Sequence, residues 1–293
     1  MLLRWYVQRV SDNELGTFLR TRREAVTPAE VGLPTGPRRR TPGLRRAELA
    51  TLAGISVEYL TRLEQGRDRN PSPQVLGAVA DALRLAVPDR ILLRRLSKES
   101  GDDAVLCSAG MAPSRTVRPT TRALLDRLEP TAAVLLNWLG DVLAYTSGYQ
   151  RIVAPLGLLD GVHPSTIRYV FIDERARAAF PDWDRMADEQ IAVLKHEAPS
   201  SDPYVAALAD ELTITAGAVF ADRLAAAPVM PRRTGAERIA HPEAGPLRLA
   251  YETLALPDDG QRLVVYLPAD DATASALDRL NGRQPGALRA VSG

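Results

Sequence analysis

Between Leu49 and Gly66 the chain runs Leu-Ala-x-x-Ala-Gly-Ile-Ser-x-x-x-Leu-x-x-Leu-Glu-x-Gly, and few folds accommodate such a run. Leu49, Ala50 and Ala53 fall on one face at helical spacing. The two alanines are small enough for another helix to cross closely. Gly54 stands where that helix must stop and the chain reverse, a position that favours positive φ. Ser56 is suited to cap the next helix, and Ile55 before it can pack back onto that helix. Leu60 and Leu63 then point inward, and Gly66 ends the helix. The pattern predicts two short helices crossing about a tight turn.

Further helices surround this pair. Leu15-Gly16-x-x-Leu19-Arg20-x-x-Arg23-Glu24 predicts one upstream. Pro71 and Pro73 open another, with Leu76, Val79, Ala80 and Leu83 inside. A fifth is expected over Asp89–Lys98, with Ile91, Leu92 and Leu96 inside. A crossed pair within such a bundle reads as a helix-turn-helix, whose attested use is to set its second helix in the DNA major groove.

Residues 13–98 resemble the Xre/phage-repressor type of helix-turn-helix domain. The stretch between the first two helices is longer than in phage repressors. It carries Gly32-Leu33-Pro34, Arg38-Arg39-Arg40 and Pro42-Gly43-Leu44-Arg45-Arg46, an insert similar to the actinobacterial MmyB-like branch. The resemblance implies that Val57, Glu58, Tyr59 and Arg62 face outward on the reading helix, behind Ser56. There Val57 suits a thymine methyl and Arg62 guanine O6 and N7, while Glu58 suits either cytosine N4 or a solvated position that orients Arg62. The Tyr59 hydroxyl suits a phosphate. Arg38, Arg39, Arg40, Arg45, Arg46, Arg67 and Arg69 form a phosphate-facing set. The same resemblance makes Arg23 and Glu64 an internal ion pair rather than DNA contacts.

Charge agrees with a DNA-binding head. The net charge of +1 hides an asymmetry: residues 1–100 carry 18 Arg/Lys against 11 Asp/Glu, and the remainder 19 against 25. A basic front on a mildly acidic body suits a polyanion at one end only. At 293 residues the chain has room for about two domains.

Residues 100–119 lack periodicity and are rich in small residues and proline, which predicts a linker. Beyond it, helix is expected over Thr121–Leu128 and strands over Ala132–Asn137 and Asp141–Tyr145, turning at Leu139-Gly140. Helices follow over Gln150–Leu156, Thr166–Phe171, Glu174–Phe180, Trp183–His196, Tyr204–Thr213 and Val219–Ala226. Strands return over Glu237–His241, Leu247–Leu254 and Leu263–Leu267, the last two a hairpin about Pro257-Asp258-Asp259-Gly260, before a helix over Ala272–Leu280. Strands at both ends enclosing helices predict one antiparallel sheet with helices banked on one side of it, an α+β architecture.

Gly140-Asp141-Val142-Leu143-Ala144, Phe180-Pro181-Asp182-Trp183, His241-Pro242-Glu243-x-Gly245 and Tyr251-Glu252-Thr253-Leu254 resemble the MmyB-like ligand-binding domain over residues 115–280. That resemblance implies a PAS-like fold holding a small, apolar, fatty-acid-like effector. Two departures stand out. Tyr145-Thr146 replaces the family's aromatic-Asn, and Phe220 to Pro228 replaces an Arg-rich segment bearing Trp and His. Expected lining residues are Val134, Leu136, Leu143, Tyr145, Phe171, Trp183, Leu249, Tyr251, Val265 and Leu267, with Tyr145, Tyr251 and Arg168 as polar anchors.

The whole is thus expected to be a two-domain α+β chain, an all-α helix-turn-helix bundle followed by a PAS-like antiparallel sheet with flanking helices. The expected divisions are 1–99 for the head, 100–119 for the linker, 120–283 for the ligand-binding or dimerisation domain and 284–293 for a tail. Its partners would be double-stranded operator DNA, a second copy of the chain and a small effector, with no membrane and no cofactor. The alternative is a regulator whose second domain only dimerises or recruits a protein.

An enzyme reading finds no chemistry to use. His163, His196 and His241 are far apart and lack a metal-ligand pattern. Ser11-Asp12-Asn13 matches a β-lactamase fragment without its companion motifs, and no phosphate loop or nucleophile elbow occurs. His241 is expected to hold a turn before Pro242. The lone Cys107 allows no internal disulfide and suits a reducing compartment. No apolar run reaches the ~20 residues of a membrane span, and the stretch from Met1 to Tyr6 is too short for a secretory signal. The expected location is the cytoplasm, at the nucleoid.

Overall fold

The computed structural model describes residues 13–34, 41–100, 113–197, 202–227, 229–256, 260–283, 286 and 288–291. The expectations for Arg38, Arg39, Arg40 and Cys107, and for residues 257–259 of the hairpin turn, lie outside the described residues. The chain divides into two compact units, one of Met1–Ala109 with Ala207–Ala225, the other of Gly110–Ala206 with Ala226–Gly293.

The first unit holds α1 (Glu14–Ala25), α2 (Arg46–Leu52), α3 (Val57–Glu64), α4 (Pro73–Ala82) and α5 (Val87–Ser100). Leu15, Leu19, Leu49, Leu60, Leu63, Leu76, Val79 and Leu93 fill its core. Turn chemistry follows the sequence. Gly54 has φ +65°, and the Ser56 and Ser72 hydroxyls cap α3 and α4 by accepting from Tyr59 N and Val75 N. Gly16 lets α1 approach α3, since a Cβ there would stand 2.6 Å from the Glu64 carbonyl. One helix face differs from expectation. On α5, Leu93 and Leu96 are buried while Ile91 and Leu92 are exposed. The apolar cluster Ile91-Leu92-Leu93 fits two rotational settings of a helix, and the core takes the one that buries Leu93 and Leu96.

The first unit also contains a segment that the sequence assigned to the second domain. α11 begins at Pro203 and runs to Ala216, and α12 covers Ala218–Ala225. Ile214 is part of the head's own core. Asp81 accepts from Arg90 at 2.7 Å and from Ala218 N at 2.9 Å, and Arg94 pairs with Glu211 at 3.0 Å. Gly217 makes the joint: its φ is +66°, and a Cβ would collide with the Asp81 carboxylate. Ala207–Ala225, within the span expected for the second domain, therefore groups with the compact unit of the head. Local sequence marks α11 and α12 as helices but carries no information about which core receives them.

The second unit is built on a five-stranded sheet in the order β2–β1–β5–β4–β3. The strands are β1 (Ala132–Asn137), β2 (Val142–Tyr145), β3 (Thr234–His241), β4 (Gly245–Leu256) and β5 (Gln261–Pro268), and every pairing is antiparallel. Around it lie α6 (Pro119–Arg127), α7 (Ser147–Val153), α8 (Thr166–Ile172), α9 (Arg175–Ala179), α10 (Trp183–Glu197) and α13 (Asp271–Leu280). One sheet face carries Ala133, Leu135, Ala144 and Leu263, covered by Leu125 of α6, while Leu136, Val264 and Tyr266 of the other face meet residues of α7, α8 and α10. Helices therefore cover both faces rather than the one side expected, because both faces are apolar.

Local hydrogen bonding closes the turns. Asn137 Oδ1 accepts from Leu139 N and Asp141 N, which seats Gly140 at φ +76°. His241 Nδ1 accepts from Glu243 N and Ala244 N, leaving Nε2 to donate to the Arg151 carbonyl at 3.1 Å. His241 is thus the turn-holding residue expected from its place before Pro242. Thr146 caps α7 by accepting from Tyr149 N at 3.3 Å and donates to the Thr131 carbonyl at 2.7 Å.

On α4, a Cβ at Gly77 would stand 2.7 Å from the Thr213 carbonyl. Gly77→Val should therefore destabilise the head by about 1–3 kcal/mol. Amide exchange over Ala207–Ala225 should accelerate in that variant, as read by hydrogen–deuterium exchange. Unchanged protection would mean that this close approach is unimportant.

Candidate functional site

The outward face of the first unit is organised from within by Glu64. This carboxylate is fully buried at the end of α3, with Arg23 Nε at 2.6 Å and Arg46 Nε at 2.7 Å. Arg23 also donates to the Leu44 carbonyl at 2.8 Å. Burial would push the Glu64 carboxyl up, but the hydrogen bonds from Arg23 and Arg46 outweigh it and hold the group below the usual carboxylate range. One acidic group thus ties α1, α2 and the segment before α2 to α3.

With its inner face held, α3 turns Val57, Glu58 and Arg62 outward. Ser56 places its hydroxyl on Tyr59 N at 3.0 Å, so its side chain is committed to the cap. The Arg62 guanidinium lies over the Tyr59 ring, 5.3 Å from its centroid, a cation–π contact that limits where the guanidinium reaches. Arg45 is exposed at the start of α2, its backbone N–H donating to Glu48 at 2.6 Å. Arg67 and Arg69 are exposed beyond α3. The result is a short helix with an open N-terminal end, flanked by cations: a shape and charge suited to a phosphate-walled groove.

The second unit contains a cavity between the other sheet face and α7, α8 and α10. It has about 80 Å³ open to the centres of water molecules, several times the ~10–15 Å³ that one water needs. Leu136, Ile152, Val170, Met186, Leu249 and Val264 supply apolar wall. Tyr149 stacks on Tyr266 with centroids 5.9 Å apart, and Tyr251 lies 6.4 Å from Tyr266. Tyr251 Oη is buried without a hydrogen-bond partner.

Two carboxylates also face this space. Glu189 Oε1 accepts from Arg232 N at 2.6 Å. Glu237 is surrounded by protein, yet part of its surface faces the void. Burial pushes its carboxyl up to about 7, against the opposing pull of Arg185 and with a further upward push from Glu189. Among the described residues no group of His, Cys, Asp and Glu is arranged to hold a metal ion, and no helix is long and apolar enough to cross a membrane.

Family models match both parts of the chain. Residues 117–280 match the MmyB-like transcription regulator ligand binding domain, and residues 14–93 match a helix-turn-helix domain. The chain belongs to the MmyB-like transcription regulators. It is a DNA-binding transcriptional regulator with a ligand-binding domain. A search of curated proteins finds no match.

In this MmyB-like regulator the residues expected at the cavity divide sharply. Leu136, Leu249 and Tyr251 line it. Val134 shares the face of Leu136 but is fully buried in packing. Leu143 and Val265 pack with the cluster on the opposite sheet face. Strand alternation puts Val264 and Tyr266 at the cavity instead, so the expectation for Val265 and Leu267 chose the wrong parity. Tyr145 touches Tyr149 at 6.4 Å but does not line the space.

Phe171 and Trp183 form an edge-on aromatic pair, with Trp183 Nε1 donating to the Val170 carbonyl at 2.9 Å. Arg168 pairs with Asp141 at 3.2 Å and is not a cavity anchor. Sequence reasoning missed Tyr149, Glu189, Glu237 and Tyr266. Glu237 alone offered a signal, since it shares the parity of the inward Ile239 on a predicted strand.

In the head, Arg46 differs from expectation, because its Nε is held by Glu64 although the side chain stays 40% exposed. The Arg23–Glu64 pair is as expected. Arg23→Ala should leave Glu64 buried with half its compensation gone and destabilise the head by about 3–5 kcal/mol. The pair also predicts a direction with pH. Because the folded pKa of Glu64 lies below its unfolded value, its contribution is present above the ordinary carboxylate range and is lost as pH falls through it. Denaturation of the wild type from pH 7 to 3 should show this loss, and the R23A variant should show a smaller one.

Proposed function

We propose that this protein is an effector-responsive, sequence-specific regulator without catalytic activity, acting on operator DNA in the cytoplasm, at the nucleoid. In this reading α3 enters the major groove with Val57, Glu58 and Arg62 toward base edges. Arg45, Arg67 and Arg69, together with the Arg38–Arg40 run, engage phosphates. Tyr59 steers Arg62, and Arg46 acts chiefly within the Glu64 pair. The chain works as a homodimer on half-sites about one helical turn apart. The PAS-like second domain binds a small molecule with an apolar body, and no cofactor is required.

The observation that carries this reading is the cavity, apolar around a buried and unpartnered Tyr251 hydroxyl. A domain serving only for dimerisation or partner recruitment needs no such interior, because buried polar atoms without partners destabilise the fold. A route between ligand and DNA is supported by the chain itself. Ala207–Ala225 lies inside the segment matched by the ligand-binding family yet contributes Ile214 to the head's core. An effector shifts operator affinity only if it binds the two states of the protein differently.

The test is fluorescence anisotropy on the DNA upstream of the protein's own gene, with random duplex as the reference. Arg62→Ala should lower the ratio of operator to random affinity by about 5–150-fold, the equivalent of ~1–3 kcal/mol for one bidentate base contact. Arg45→Ala should weaken both duplexes alike and reduce the salt slope by about one. Adding a small-molecule extract of the cells should shift operator affinity of the wild type. Equal effects of both substitutions on both duplexes would refute the division of roles, and no response to extract would favour a purely structural second domain.

A further inference from the structure

The polar end of the cavity constrains what the effector can be. Among the described residues, the Glu237 carboxylate has neither a hydrogen bond nor an ion pair with another side chain. Glu189, which also faces the space, has one oxygen bonded to Arg232 N. The rings of Tyr149, Tyr251 and Tyr266 are packed together at the same end, near Glu237, and Tyr251, 7% exposed, has its Oη buried and unpartnered. This is an acid-bearing aromatic wall inside an apolar chamber.

Arg185 pulls on the Glu237 charge, but among the described residues no neighbouring guanidinium is hydrogen-bonded to it. Arg185 is turned to the Ala236 carbonyl at 3.0 Å, and Arg262 to the Asn137 carbonyl at 3.3 Å. Arg232 and Arg233 line the cavity but are exposed. A fatty acid could set its carboxylate beside these exposed arginines. Its tail would then lie against Glu237 and three phenols, burying a carboxylate with no compensating donor. With its carboxylate inward instead, it would meet two acids.

We propose that the effector of this domain is an organic amine, its protonated nitrogen beside Glu237 and the Tyr149–Tyr266–Tyr251 wall and its apolar body against Leu136, Leu249 and Val264. An ammonium supplies the donors that Glu237 lacks, and its charge is attracted by the faces of the tyrosine rings. The proposal rests on the reading of the second domain as a small-molecule sensor and specifies its ligand chemistry.

The test compares octylamine, octanol and octanoate, three probes with one body and different heads, against the full-length protein at pH 7.5 by isothermal titration calorimetry. Octylamine should bind at least roughly tenfold tighter than either of the others. Glu237→Gln, nearly the same shape, should erase that preference while octanol binding persists, with the melting temperature checking that the variant is folded. The comparison of probes on the wild type stands without the variant. Octanoate or octanol binding as tightly as octylamine would overturn the amine assignment and leave the sensor reading intact. A preference that survives in a folded Glu237→Gln would overturn the role of Glu237. No binding by any of the three would overturn the amine assignment, and a concurrent lack of response to cell extract would remove the sensor reading as well.

Discussion

The outward face of α3 depends on a charge that never reaches it. Glu64 closes this helix from inside, with Arg23 and Arg46 each within hydrogen-bond distance. A buried carboxylate is tolerated only when it is paired and hydrogen-bonded, so α1, α2 and α3 have little freedom to shift once the pair forms. Gly16 permits the approach, and the Asn13 side chain donates to the Glu64 carbonyl at 3.1 Å. The outward residues Val57, Glu58 and Arg62 inherit their geometry from that inner anchor. Their exposure leaves them available, and the contact of Arg62 with Tyr59 limits how far its guanidinium wanders.

The two units use buried polar groups differently. In the head both Glu64 carboxylate oxygens are matched, by Arg23 and Arg46, which favours one rigid arrangement. In the ligand-binding domain Tyr251 Oη is buried without a partner and Glu237 faces the same cavity, which leaves polar interactions to be completed. A matched network holds a surface in place, whereas an unmatched one discriminates among molecules that enter. The chain also does not divide where the family boundaries do. Ala207–Ala225 falls within the matched ligand-binding segment but belongs to the compact unit of the head, where Asp81, Arg90 and Gly217 form its joint.

The sequence alone determined the head almost completely, because its signals are local. A glycine at the reversal, a serine at the cap, small residues at the crossing and leucines three or four apart act within a turn of helix, and the Arg23–Glu64 pair came with the family resemblance. The strands of the second unit were legible for the same reason. What only the tertiary structure decided were the choices between equivalent local solutions. The Ile91-Leu92-Leu93 cluster suits either of two rotations of its helix. Val264 and Val265 suit either face of a strand, and α11 and α12 suit any apolar partner. Those alternatives differ in which distant atoms they meet. Glu237 and Tyr266 become one site only because β3 and β5 flank β4 in the sheet, a juxtaposition set by long-range strand pairing that no local pattern encodes.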